Sequence, residues 1–165
     1  MNNHSIQIFQ TIALRPQILQ YAINEFPAIC LTIASFGAYV FGNFMWHEYL
    51  IYAALVLIVY LFCKLLSILR TEYVITSEQI IILHGVLSHS TDYVELYRVV
   101  DYKQHRSLPH QLFGLKTVTI YSGDRNNPIV NMSGLKAEDD VVSEIRMRVE
   151  FNKGRKGIYE VTNRN

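Results

Sequence analysis

From Phe26 to His47 the chain carries no Asp, Glu, Lys or Arg, and from Tyr49 to Leu69 only Lys64 interrupts a second apolar run. As a helix, each stretch is long enough to cross the roughly 30 Å hydrocarbon core of a bilayer. The segment joining them, Asn43 to Glu48, has room for a tight hairpin and nothing larger. Beyond Arg70 the sequence turns charged and alternating. The pattern predicts a transmembrane helical hairpin over residues 26–69, preceded by an interfacial segment over residues 1–25 and followed by one small domain.

Charge divides the same way. Residues 1–70 hold Arg15, Lys64 and Arg70 against Glu25 and Glu48, while residues 71–165 hold twelve basic residues against twelve acids. A domain so balanced has no field that would draw nucleic acid. Basic residues flank both runs, and the connecting loop has neither Lys nor Arg, so the positive-inside rule places both termini in the cytoplasm of a multi-pass inner-membrane protein. Lys64 and Arg70 then lie at the cytoplasmic interface, Lys64 snorkelling to the headgroups, while Trp46, Tyr49 and Tyr52 suit the opposite interface as aromatic anchors. The first residues lack the basic start of a secretory signal, so the hairpin is expected to be retained. Cys30 and Cys63 both fall in the apolar runs and read as small buried or lipid-facing residues rather than a disulfide. Ser35, Gly37, Ala38 and Gly42 favour close helix packing along the first run.

Ile6, Ile8, Ile12 and Leu14 alternate, a pattern shared by a short strand and an interfacial segment. Pro16 marks a helix start and Pro27 begins or kinks the first span. From Thr71 to Thr76 the period becomes two. Further strands are expected over Gln79–His84, Ser90–Glu95, Val99–Arg106, Thr117–Tyr121 and Ile129–Met132, with Ser77-Glu78 as a tight turn and Ser122 to Pro128 as a turn cluster. Ser107 to Gly114 reads as a helical turn with Leu108, Leu112 and Phe113 as apolar anchors. Lys136 to Glu150 reads as a helix with Val141, Val142, Ile145 and Val149 on one face. Glu138, Asp139 and Asp140 would fill its first turn, with Arg146 and Arg148 near its end. The domain is expected over residues 71–151, followed by a basic tail over 152–165 in which Gly157 to Thr162 is either loose or an edge strand.

The runs Thr71 to Thr76, Ile80-Ile81-Ile82, Gly85 to Ser88, Val94 to Val99, and Phe113-Gly114-Leu115 with Thr117 to Ile120 resemble the bacterial membrane-flanked pleckstrin-homology (PH) domain. The resemblance covers about residues 10–150. It implies an α+β membrane protein: a two-helix hairpin, then a PH-like bent antiparallel sandwich or barrel capped by a C-terminal helix, held at the cytoplasmic membrane face. It also implies roles in lipid recognition, oligomerisation or adaptor function, and says little about activity. Two departures stand out. Relatives are often arginine-rich around the Gly85 region, where this chain has His84, His89 and Thr91. Phosphoinositide-binding PH domains carry a long basic first hairpin loop, here reduced to Ser77-Glu78, which offers no convergent donors to a phosphate.

The remaining chemistry is sparse. His4, His47, His84, His89, His105 and His110 include no pair at metalloprotease spacing, and neither cysteine joins them. Gly154-Arg155-Lys156-Gly157 is no phosphate loop, no serine sits in a nucleophile elbow, and Asp139-Asp140 belongs to a helix start. No enzyme, metal, cofactor or small-molecule substrate is expected. Two basic patches remain: Lys103, His105, Arg106, His110 and Lys116; and Arg146, Arg148, Lys153, Arg155 and Lys156. The expected function is a non-catalytic membrane scaffold that binds itself or another membrane protein. The alternative is a sensor of anionic lipid headgroups working through those patches, the tail patch above all.

Overall fold

The computed structural model describes residues 9–42, 45–86, 88 and 90–157. His4, Ile6, Ile8, His89 and the expected strand beyond Gly157 lie outside the described residues. Among the described residues, seven strands form two antiparallel sheets. The first contains β1 (Ile12–Leu14), β2 (Glu72–Ile75), β3 (Gln79–His84) and β4 (Ser90–Glu95) in that order, and the second contains β5 (Val99–His105), β6 (Leu115–Ser122) and β7 (Ile129–Lys136). Alternation builds both: Ile75, Ile80 and Val94 from the first sheet meet Val118, Ile120 and Met132 from the second in one buried core. Tyr73 bolts the sheets together, its hydroxyl accepting from the Ser133 N–H at 3.2 Å and donating to the Ser133 carbonyl at 3.4 Å. Burial pushes this phenol's pKa up, which keeps it a donor.

Five helices accompany the sheets among the described residues. α1 (Leu19–Asn24) leads through Glu25 alone into α2 (Phe26–Phe41); a 3-10 turn at His47–Tyr49 opens α3 (Leu50–Leu69); α4 (Leu108–Leu112) bridges β5 and β6; α5 (Val141–Arg155) closes the sandwich. Pro27 sits in the first turn of α2, where its missing N–H costs nothing. Pro16, by contrast, precedes α1 by two residues rather than starting it. The first apolar run is helical only to Phe41, because Gly42 turns extended at φ −76° and ψ 135°. α2 and α3 pack antiparallel: Tyr39 and His47 stack with ring centroids 6.5 Å apart at one end, and Glu25 and Tyr60 are neighbours at the other.

Three expectations need correction. Ile12 to Leu14 is a strand, with Ile12 opposite Ile75 and Leu14 opposite Tyr73, so the leading segment contributes to the sheet. The last strand runs on to Lys136, which pairs with Leu115. α5 therefore starts at Val141 with Asp140 as its cap, accepting from the Ser143 N–H at 3.4 Å, and Glu138 and Asp139 precede it. At its far end α5 continues to Arg155, so Asn152, Lys153 and Arg155 are helical rather than tail. Its core face is as the spacing predicts: Val141, Ile145 and Val149 are buried and Val142 packs beside them.

α1 is seated on the second sheet at Gly134. The Gln17 N–H donates to the Gly134 carbonyl at 2.8 Å, and Gly134 holds φ +74° where a Cβ would lie 2.9 Å from the Gln20 Cβ. Gly134→Ala should therefore cost about 2 kcal/mol or more, combining a left-handed conformation with a steric clash. A lowered thermal midpoint and faster proteolysis around residues 15–25 in detergent-solubilised protein are the expected readouts. An unchanged midpoint would mean α1 is not pressed on this glycine.

Candidate membrane and partner interface

The helix pair exposes its apolar side chains outward. His47–Leu69 is the one stretch among the described residues long and apolar enough to cross a membrane, and almost none of it is buried within the chain; Phe26–Phe41 is a shorter apolar helix. Leu31, Ile33, Phe36 and Val40 on α2, and Leu55, Val56, Val59 and Phe62 on α3, are all exposed. Cys30 and Cys63 are free and exposed on the same two helices. At the loop end, Trp46 packs against Tyr49 with ring centroids 5.7 Å apart, and Tyr52 lies exposed one turn on. At the sheet end, Lys64 Nζ lies 5.6 Å from the Tyr60 ring centroid, Arg70 caps α3, and Arg15 pairs with Glu72 at 3.4 Å. The aromatic and basic residues singled out in the sequence thus occupy opposite ends of the helix pair.

The C-terminal cations are differently employed from expectation. Arg148 is only 2 % exposed. It donates to the Gln10 carbonyl at 2.8 Å and the Glu144 carbonyl at 3.0 Å, pairs with the Glu144 carboxylate, and lies over the Phe9 ring. A buried guanidinium tying the leading segment to α5 is not a headgroup contact. Arg146 is paired along the helix with Glu150 at 3.1 Å. Arg155 reaches Glu78 at 2.6 Å, and Lys156 Nζ sits 3.5 Å from the Tyr97 ring centroid. Asn152 donates to the Ser77 carbonyl at 2.6 Å. The short acidic turn is therefore the landing point of α5's last turn, and the Arg155 hydrogen bond and charge, with Lys156 behind them, hold the Glu78 carboxyl below its ordinary pKa.

The other patch also thins out. Lys116 is buried and donates to the carbonyls of Ala137 and Asp139. Arg106 donates to the Ala137 carbonyl at 3.0 Å. Lys103 and His105 remain exposed on β5. His110 is an interior residue. Gln20 uses its amide nitrogen on Asn24 Oδ1 at 2.8 Å, so its oxygen accepts from His110 Nε2 at 2.8 Å; His110 Nδ1 in turn accepts from the Ser107 hydroxyl at 2.8 Å. This chain of bonds fastens α4 to α1. Burial first, and the neighbouring His105 second, lower the His110 pKa.

Two features escaped the sequence reading. Arg148 lies on the same helical stripe as Ile145 and Asn152, and that position on the core face was the available signal. The supposed anchors Leu108 and Leu112 point outward, 81 % and 80 % exposed, because His110 between them takes the inward face. At the Gly85 region, His84 Nδ1 stands 3.8 Å from the Asp92 carboxylate.

The family model described as bacterial PH domain matches residues 16–149. No curated protein and no solved structure matches the chain.

Two outcomes follow from these placements. Arg148→Ala should destabilise the domain by about 3 kcal/mol, through two lost charge-assisted bonds to backbone carbonyls, and thermal unfolding measures this. Unchanged stability with weakened vesicle binding would instead return Arg148 to the lipid surface. Because the folded His110 pKa lies below the unfolded value, unfolded chains take up the proton first as pH falls. Stability is full above about pH 6.5 and declines below it. His110→Gln should flatten that decline between pH 7.5 and 5.5, as read from unfolding midpoints at each pH.

Proposed function

The chain belongs to the bacterial PH domain family, and on that premise we propose a two-span, membrane-anchored, non-catalytic scaffold whose sheets stand at the cytoplasmic face. PH domains serve broadly as modules that bind proteins or lipids. The observation that carries the membrane reading is the pairing of β1 with β2. It puts residues 15 and 71 side by side, on the same surface of any membrane that α3 enters. A chain that leaves a surface and returns to it crosses an even number of times. α3 alone would strand β2 on the far side from β1, so α2 is the return limb. At 16 residues α2 spans only about 24 Å as a helix. Such a shortfall is absorbed by local thinning of the bilayer at modest cost. Arg15, Lys64 and Arg70 at the sheet end then favour the cytoplasmic side.

The employment of the cations supports a protein partner over an anionic leaflet. Arg146, Arg148 and Arg155 are engaged by Glu150, by backbone carbonyls with Glu144, and by Glu78. The exposed Leu108 and Leu112 at the tip of α4, with Phe113 beside them, offer an apolar contact instead. A second copy of the chain or another membrane protein is the proposed partner, reached through this tip, the sheet edges and the spans.

Cysteine accessibility tests both halves. With Cys30 and Cys63 replaced by Ala, a cysteine at Met45 should react with a membrane-impermeant maleimide on intact cells. One at Arg125 should react only after permeabilisation. The opposite labelling would overturn the orientation. Chemical crosslinking in native membranes should give a discrete adduct that weakens in Leu108→Asp/Leu112→Asp; a lone monomer with no crosslinked partner would overturn the scaffold.

A further inference from the structure

A cavity of about 220 Å³ lies where the helix pair meets the sheets, lined by Tyr21, Asn24, Glu25, Lys64, Ser67 and Thr71 among others. Its walls come from α1 and the residues flanking it, the last turns of α3, and Tyr73 and Ser133 of the two sheets. Several of its polar groups are already spent. The Tyr21 hydroxyl donates to the Leu61 carbonyl at 3.1 Å, and the Thr71 hydroxyl donates to the Ser67 carbonyl at 2.9 Å. Among the groups left facing the space are one carboxylate, Glu25, and one ammonium, Lys64, with the Asn24 amide and the Ser67 and Ser133 hydroxyls beside them. None of the ion pairs among the described residues joins Glu25 to Lys64, although both line the same space. Glu25 stands near the Tyr60 hydroxyl, and a carboxylate has room for several N–H donors. Lys64 is exposed and lies over the Tyr60 ring, with its three N–H donors directed by no carboxylate.

We propose that this cavity binds a zwitterion bearing a phosphate and a primary ammonium, the headgroup chemistry of an ethanolamine-type phospholipid. A plain anion would meet Glu25, and a plain cation would meet Lys64; only a ligand with both charges satisfies both walls. The phosphate lies toward Lys64 and the Asn24 amide, and the ammonium toward the Glu25 carboxylate. A primary ammonium fits better than a quaternary one, because a carboxylate and serine hydroxyls accept N–H bonds and the Tyr60 face is already covered by Lys64. The lipid source rests on the membrane reading above: with the hairpin inserted, Lys64 and Arg70 stand at headgroup depth, and the acyl chains continue along the exposed flank of α3.

Native mass spectrometry of the full chain in detergent, titrated with short-chain phosphatidylethanolamine, phosphatidylcholine and phosphatidylglycerol, tests this. The ethanolamine lipid should bind about tenfold more tightly than the other two, the difference of one charge-assisted bond. Glu25→Gln should erase the preference over the choline lipid. Lys64→Gln should weaken both zwitterions alike. Equal binding of all three lipids, or a preference that survives Glu25→Gln, overturns the site. Free phosphoethanolamine separates the two readings. If it binds as well as the lipid and the Met45 cysteine is silent from outside, the cavity holds a soluble zwitterion and the membrane reading falls alone. If Met45 labels from outside and no preference appears, the cavity proposal falls alone.

Discussion

The seat of α1 on the second sheet is the constraint on which the rest of the molecule depends. The Gln17 N–H to Gly134 carbonyl bond and the Gln20–His110 bond hold α1 from two directions. Only Glu25 separates α1 from α2, so the direction of the helix pair is set by where α1 rests. On the other flank, β2 begins two residues after Arg70 caps α3 and pairs at once with β1. The pair of helices is thus gripped at both of its near ends. The sheets and the helices are one mechanical unit, and a load applied to either reaches the other through these short connections.

That coupling explains the economy of charge at the closing helix. In a freestanding recognition module the first hairpin turn is open to ligands. Here α5 ends against it, with Asn152 on the Ser77 carbonyl and Arg155 on Glu78. The ion pair is exposed and weak, but Asn152 is buried and fixes the contact. The turn is short and acidic because it receives a helix end, and that role leaves no place for a phosphate clamp.

Much of the fold was legible because it is periodic. The alternation of Tyr73, Ile75, Ile80 and Ile82 and the stripe of Val141, Ile145 and Val149 each report a face that must be buried, and each is. The illegible parts are long-range. Ile12 to Leu14 is too short to declare itself, and its partner lies beyond both apolar helices. The strand through Lys136 hides behind a charged end that resembles a helix start, until its pairing with Leu115 decides the matter. Basic residues misled most, since sequence shows charge but not its partner: Lys116 and Arg148 are interior donors to backbone carbonyls. Glu25 and Lys64 were readable as charges at the edges of the apolar runs, yet the cavity they share exists only once α1 and α3 are side by side.

The pairing of β1 with β2 has a consequence for the order in which the protein is made. Ile12 leaves the ribosome well before Ile75, with both apolar helices between them. A three-residue strand with nothing to pair against stays an open edge throughout that interval, and Arg148, which donates to the Gln10 carbonyl, arrives later still. The first sheet therefore cannot mature until the apolar limbs have been delivered to their final environment and the chain has come back. Assembly of the soluble-looking part is in this way gated by completion of the hydrophobic part, and a chain whose limbs went astray would present an unpaired strand to cellular quality control.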